Sequence, residues 1–127
     1  MRCVKLKGDE RGKLLTARRI ASLVGGPFRA PHYSCSSAAL VEELTLAIGG
    51  VLYLDEADEF SRDAIMRLVS TWRRYRDMKV RVPLLILSVK TDRVNGLLPD
   101  DAGELDLTQK EAETFCKVAD AVVGRED

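Results

Sequence analysis

Gly49-Gly50-Val51-Leu52-Tyr53-Leu54-Asp55-Glu56 is the stretch that decides the fold. Four apolar residues in a row, opened by two glycines and closed by two carboxylates, fit a strand buried on both faces with Asp55 and Glu56 at its carboxyl end. In open α/β sheets that edge is where ligands bind. The same residues also fit a plain core strand followed by the acidic first turn of a helix, because carboxylates favour helix N-termini.

Working outward, 127 residues make one domain, with room for a single core. Apolar residues make up 46% and aromatics 6% of the chain, which suits an α/β protein and excludes a disordered or membrane-spanning one. The opening Met1-Arg2-Cys3-Val4-Lys5 lacks the apolar core of a secretory signal, so the expected location is the cytoplasm and no membrane partner is expected. Cys3, Cys35 and Cys116 share no metal-ligand spacing, and neither zinc nor haem is expected; buried or idle thiols are the reading. Charge is zero overall and uneven along the chain. Seventeen basic and 11 acidic residues fall up to Arg93, a net of +6, while 3 basic and 9 acidic residues follow, a net of −6. Such a body either packs against its own acidic tail or meets an anionic partner.

Ahead of the central stretch, residues 2–6 alternate polar and apolar and predict a first strand. From Lys13 the spacing of Leu14, Ala17, Ile20, Ala21 and Val24 predicts a helix over 13–24 that ends at Gly25-Gly26. A glycine-bearing turn leading into a helix at Gly12-Lys13 is the context of a phosphate-binding loop. The pattern G-x-x-x-x-G-K-[ST] is incomplete here. Lys7 stands at the first glycine, Gly8 comes one position late, Leu14 replaces the hydroxyl residue, and Asp9 and Glu10 bring negative charge. A cradle of N–H groups needs glycine freedom, and the hydroxyl is a magnesium ligand. An ordinary strand-turn-helix explains Gly12-Lys13 equally well. In P-loop ATPases an apolar strand ending in Asp-Glu holds magnesium through the Asp, often through water, and orients the attacking water with the Glu.

After the helix, Pro27 and Pro31 predict an extended segment near 28–34, and Ser36 or Ser37 caps a helix over 37–48. His32 has no acid or Cys at ligand spacing and is read as a structural or surface group. Pro27-Phe28-Arg29-Ala30-Pro31-His32, Ser34, Ala39-Leu40-Val41, Glu43-Leu44-Thr45-Leu46-Ala47, Gly50-Val51-Leu52-Tyr53-Leu54-Asp55-Glu56 and Glu59-Phe60 together resemble the AAA+ module of magnesium chelatase ATPase subunits and their competence-associated helicase relatives. Gly12-Lys13-Leu14-Leu15-Thr16-Ala17-Arg18-Arg19 is similar to the same modules, and the likeness runs over about residues 2–95.

The resemblance implies ATP or ADP with magnesium as cofactors, bound by Gly8, Gly12 and Lys13, with Asp55 holding the magnesium. It implies catalytic roles for Glu56, which positions water, and for Thr91, which senses phosphate. It also implies a homo-oligomer or an intact AAA+ ring as partner. Departures bear on activity. The glycine-rich insertion between Val41 and Glu43 is nearly absent, Lys90 or Thr91 takes the place of the sensing Asn after Pro83–Val89, no arginine finger can be placed, and a helical lid has no room.

A helix over 62–77, capped by Ser61, carries the apolar stripe Ile65, Leu68, Val69 and Trp72. Arg67, Arg73, Arg74, Arg76, Lys79 and Arg81 lie on its other face and in the turn beyond. With Trp72 and Tyr75 between them they could meet nucleic acid or a protein partner, although such runs are more often solvated helix faces. Thr108 and Glu111 form a capping box for a last helix over 108–123.

The fold expected is therefore a three-layer, P-loop-NTPase-like α/β domain with a mostly parallel sheet of about four strands. Residues 1–127 form a single domain, with 1–95 as the family-like core and 96–127 as an acidic loop and helix. Two functions stay open. One is nucleotide binding with weak or absent hydrolysis; the other is a non-enzymatic binding or regulatory module that docks on protein or nucleic acid.

Overall fold

A computed structural model describes residues 3–8 and 10–106. Strands β1 (Cys3–Lys7), β2 (Phe28–Arg29), β3 (Val51–Leu54), β4 (Leu84–Ser88) and β5 (Gly103–Asp106) form one sheet in the order β2-β3-β4-β1-β5. Every neighbouring pair is parallel. Parallel neighbours require long crossovers, and helices α1 (Glu10–Val24), α2 (Ser37–Leu46) and α3 (Arg62–Asp77) supply them.

Strand side chains alternate between faces, so each buried strand feeds two cores. Val4, Leu6, Val51, Tyr53, Leu84 and Ile86 pack under Ala17, Ile20 and Ala21 of α1. Cys3, Leu52, Leu54, Leu85 and Leu87 face the other way, against Leu40 and Leu44 of α2 and Ile65, Leu68, Val69 and Trp72 of α3. Trp72 is fully buried and its indole N–H donates to the Pro83 carbonyl at 3.1 Å, which ties α3 to the entry of β4.

Local chemistry sets the ends of the elements. Ser36 accepts from the Ala39 N–H and Ser61 from the Ala64 N–H, both at 3.1 Å, satisfying donors that a helix N-terminus leaves open. α1 stops where Gly25 takes φ +76°, a left-handed conformation that a side chain resists. Gly50 is required for a different reason. A Cβ there would lie 1.9 Å from the Pro27 carbonyl oxygen, so the chain entering β3 can pass the turn before β2 only without a side chain.

The structure differs from the sequence reading in several places. Among the described residues the sheet has five strands where about four were expected, and Gly103–Asp106 continues it beyond residue 95. That strand offers no apolar run. Part of its hold on β1 is ionic, with Lys5 and Lys7 of β1 at 3.3 and 3.0 Å from Glu104. The segment near 28–34 is a strand only at Phe28–Arg29, because Pro27 and Pro31, which cannot donate to a ladder, bracket it. α1 begins at Glu10 rather than residue 13, and α2 ends at Leu46 rather than residue 48. α3 has the expected bounds. The helix expected over 108–123 lies outside the described residues.

Candidate functional site

Because all strands run the same way, the exits of β1, β3 and β4 meet at one edge of the sheet, and the candidate residues meet there too. Asp55 and Glu56 leave β3, Lys90 and Thr91 leave β4, and Lys13 approaches from the second turn of α1. Tyr53, two residues before Asp55, donates its hydroxyl to Asp55 Oδ1 at 3.1 Å and so orients that carboxylate. Glu56 holds a left-handed backbone, φ 53° and ψ 55°, which costs a residue with a side chain on the order of 1 kcal/mol or more. Its Oε1 lies 3.9 Å from Lys90 Nζ.

The entry loop is short. β1 ends at Lys7 and α1 starts at Glu10, so Gly8 and Asp9 alone connect them. Gly12 therefore lies inside the helix. Lys13 is 1% exposed, and its amine lies 3.4 Å from the Val89 carbonyl oxygen at the exit of β4. Lys7, at the expected glycine position, is held by Asp92 at 3.1 Å and Glu104 at 3.0 Å. The hydrogen bonds from Lys7 hold Asp92 and Glu104 below the usual carboxylate range, and the same bonds push the Lys7 amine up.

Beside Asp55 and Glu56 opens a cleft of about 190 Å3, lined also by Leu14, Ala30, Pro31, His32, Tyr33 and Tyr53. Leu14 thus stands where a magnesium-binding hydroxyl was expected. Magnesium is usually held by one or two carboxylates, waters and substrate phosphates. Asp55 fits that role; the apolar Leu14 does not, and no cluster of three or more metal-binding side chains occurs among the described residues. The fit is partial and rests on one carboxylate.

The β4 exit carries contacts that spacing did not reveal. Asp58 Oδ2 accepts from the Lys90 N–H at 2.6 Å and the Thr91 N–H at 3.3 Å. Asp58 Oδ1 accepts from the Thr91 hydroxyl at 3.0 Å. Arg93 donates to the Asp58 carbonyl. The Tyr53 contact could have been found from the two-residue strand period; nothing in the sequence singled out Asp58.

Away from this edge, Arg29 Nε and Nη2 grip Glu43 at 2.6 and 2.7 Å and hold its carboxyl below the usual range. His32 Nδ1 accepts from the Ser34 N–H at 3.1 Å, in keeping with a structural role. Burial pushes the Cys3 thiol up to about 12, and Cys35 is also raised by burial, so both free thiols stay protonated. Cys116 lies outside the described residues.

The six basic residues separate into two groups. Arg67 pairs with Asp63 at 3.2 Å, Arg73 donates to the Leu98 carbonyl at 3.0 Å, and Arg76 lies 3.4 Å from Asp101 and over the Trp72 ring. Arg74, Lys79 and Arg81 stand near the end of α3 beside exposed Met78 and Val80.

A parallel sheet flanked by helices, with acids at one strand exit and a lysine from the first helix at the same edge, defines a P-loop-NTPase-like module. Comparisons with known proteins narrow that class. The family model of magnesium chelatase subunit ChlI matches residues 14–72. Competence protein ComM of Haemophilus influenzae is 49% identical over 47 residues, which is 31% of this chain and 9% of that protein. Among solved structures, NtrX from Brucella abortus superposes with a TM-score of 0.53 at 20% identity, covering 80% of this chain and 32% of NtrX. NtrX in complex with ADP gives a TM-score of 0.52 at 18% identity, covering 97% and 36%. Over residues 14–72 the chain is thus similar to magnesium chelatase subunit ChlI, on a P-loop-NTPase-like fold. It spans about a third of the NtrX chain and a tenth or less of ComM. No helix among the described residues is long and apolar enough to cross a membrane.

Proposed function

We propose that this module binds nucleotide weakly, does not hydrolyse it at an appreciable rate, and works as a binding or regulatory subunit built on an AAA+ frame. The observation that carries this reading is the placement of Lys13. Its amine is buried and lies against the Val89 carbonyl, and Lys13 itself sits about one turn into a helix that has absorbed most of the phosphate loop. A phosphate entering there must displace that lysine without glycine-rich backbone to receive it.

Asp55 and Glu56 line the cleft at the exit of β3, where a magnesium ligand and a water-orienting base would act, and NtrX has a complex with ADP; both support the reading of retained nucleotide affinity. Leu14 gives no ligand to magnesium, so hydrolysis suffers more than binding. An ATPase assay with magnesium tests this. Turnover should be at background for the unaltered protein and unchanged in Glu56→Gln; turnover that falls in Glu56→Gln would contradict the proposal.

A second reading, docking on nucleic acid, is favoured by Arg74, Lys79 and Arg81. Changing Arg74 and Arg81 to Glu should weaken single-stranded DNA binding and flatten its salt dependence, whereas Arg67→Glu should do neither. Equal losses from both changes would remove α3's end as the contact.

A further inference from the structure

Between α2 and α3, on the side away from the sheet, lies a groove of about 520 Å3, within the size range of binding pockets. Ala38 and Val41 of α2 form one wall, and Met66, Ser70 and Thr71 of α3 form the other. Ala38 and Ser70 are too small to close the gap between the helices. Of the α3 residues in the groove, Thr71 is the deepest, and Met66 lies on the outer rim, 46% exposed. An acid and a base stand on the same rim. Asp63 and Arg67, one helical turn apart, pair at 3.2 Å, and the Ser37 hydroxyl donates to Asp63 at 3.0 Å. Both charged side chains are more than half exposed, and exposed pairs of this kind contribute little, so their charges exchange partners at small cost.

We infer that this groove receives a second copy of the chain, turned by a two-fold axis normal to α3 so that the two α3 helices lie antiparallel and each Met66 seats in the groove of the other copy. A two-fold interface uses one patch twice and must complement itself. The α3 rim does so. Reversing the helix direction sets Asp63 of one copy against Arg67 of the other, and the axis repeats that contact. The same rotation carries the outer-rim Met66 across to the neighbouring groove, and methionine, unbranched and adaptable, fills irregular gaps well. Antiparallel packing also keeps the basic ends of the two α3 helices, with Arg74 and Arg76 in the last turn, far from each other. Such a pair closes at two copies, unlike the head-to-tail contacts that build a ring. It uses neither Lys13 nor the cleft beside Asp55, so it needs no nucleotide.

Sedimentation velocity of the full chain, at concentrations up to about 1 mM, tests this. A monomer–dimer equilibrium is expected, the same with and without ATP. A chain that stays monomeric throughout, or one that assembles beyond two copies, would overturn the inference and leave the groove to a different protein. Arg67→Glu alone and Asp63→Arg alone should each weaken the dimer at least about tenfold, because each sets like charges against one another across the axis. An equimolar mixture of these two variants should dimerise again, since acid then meets base at both contacts, and that recovery also shows that both variants are folded. Undiminished dimerisation of either variant alone, or no recovery in the mixture, would overturn the pairing. Met66→Ser leaves the charges in place and should weaken the dimer as well; an unchanged equilibrium in that variant would overturn the seating of Met66 in the groove.

Discussion

Thr16 lies in α1 three residues beyond Lys13, is fully buried, and has a hydroxyl without a hydrogen-bond partner. An unmet buried hydroxyl costs about 1–3 kcal/mol, while an isosteric methyl there costs nothing comparable. Thr16→Val should therefore stabilise the protein by about 1 kcal/mol, read as a rise in the thermal midpoint; a fall would show that the hydroxyl has a partner. Acid sensitivity belongs to the same scale. Arg29 holds Glu43, and Lys7 holds Asp92 and, with Lys5, Glu104, below their ordinary ranges. A depressed carboxylate contributes stability that is fully present above its unfolded value, about 4.5 for Glu, and is lost as pH falls through the lower folded value. The thermal midpoint should hold down to about pH 5 and then decline, less steeply in Glu43→Gln. An unchanged acid slope in that variant would mean that the Arg29–Glu43 grip contributes nothing in solution.

Among the elements, β3 was the most legible because its residues answer to one requirement, burial on both faces. Val51, Leu52, Tyr53 and Leu54 are all fully buried. α3 was nearly as clear, since Ile65, Leu68, Val69 and Trp72 repeat at helical spacing and Ser61 caps it. β5 was not legible. Its register with β1 is supported by pairing of Glu104 with two lysines of another strand, and no local pattern announces a partner some 100 residues away. The same limit hid the clamp on Asp58, where two turns meet across 32 or more residues of sequence. Gly50 gives this scale its prediction. A methyl there meets the Pro27 carbonyl, a backbone atom that cannot swing aside as a side-chain end can. Gly50→Ala should lower stability by several kcal/mol, within the range of severe overpacking, and weaken the β2–β3 pairing; a midpoint within a degree of the unaltered protein would contradict this close approach.

For the whole molecule, the sheet order β2-β3-β4-β1-β5 explains why residues far apart in sequence share one edge, and the fold class could be read from the strand–helix alternation alone. The chemistry of that edge could not, because motif spacing does not say where a side chain points. Lys13 sits one helical turn into α1 and turns inward, Leu14 lines the acidic cleft, and Thr91 gives its hydroxyl to Asp58. Lys13 and Thr91 are residue types that a working phosphate site also uses, so for them direction alone separates the two outcomes, whereas Leu14 differs in chemistry as well. Isothermal titration of the unaltered protein with ATP and magnesium, beside Lys13→Ala, tests this most directly. The account predicts at most weak heats, with an affinity that changes less than about threefold in Lys13→Ala, since the buried amine spends its interactions on Val89. Tight, saturable binding that disappears in Lys13→Ala would contradict it, and would mean that the lysine turns outward to meet phosphate.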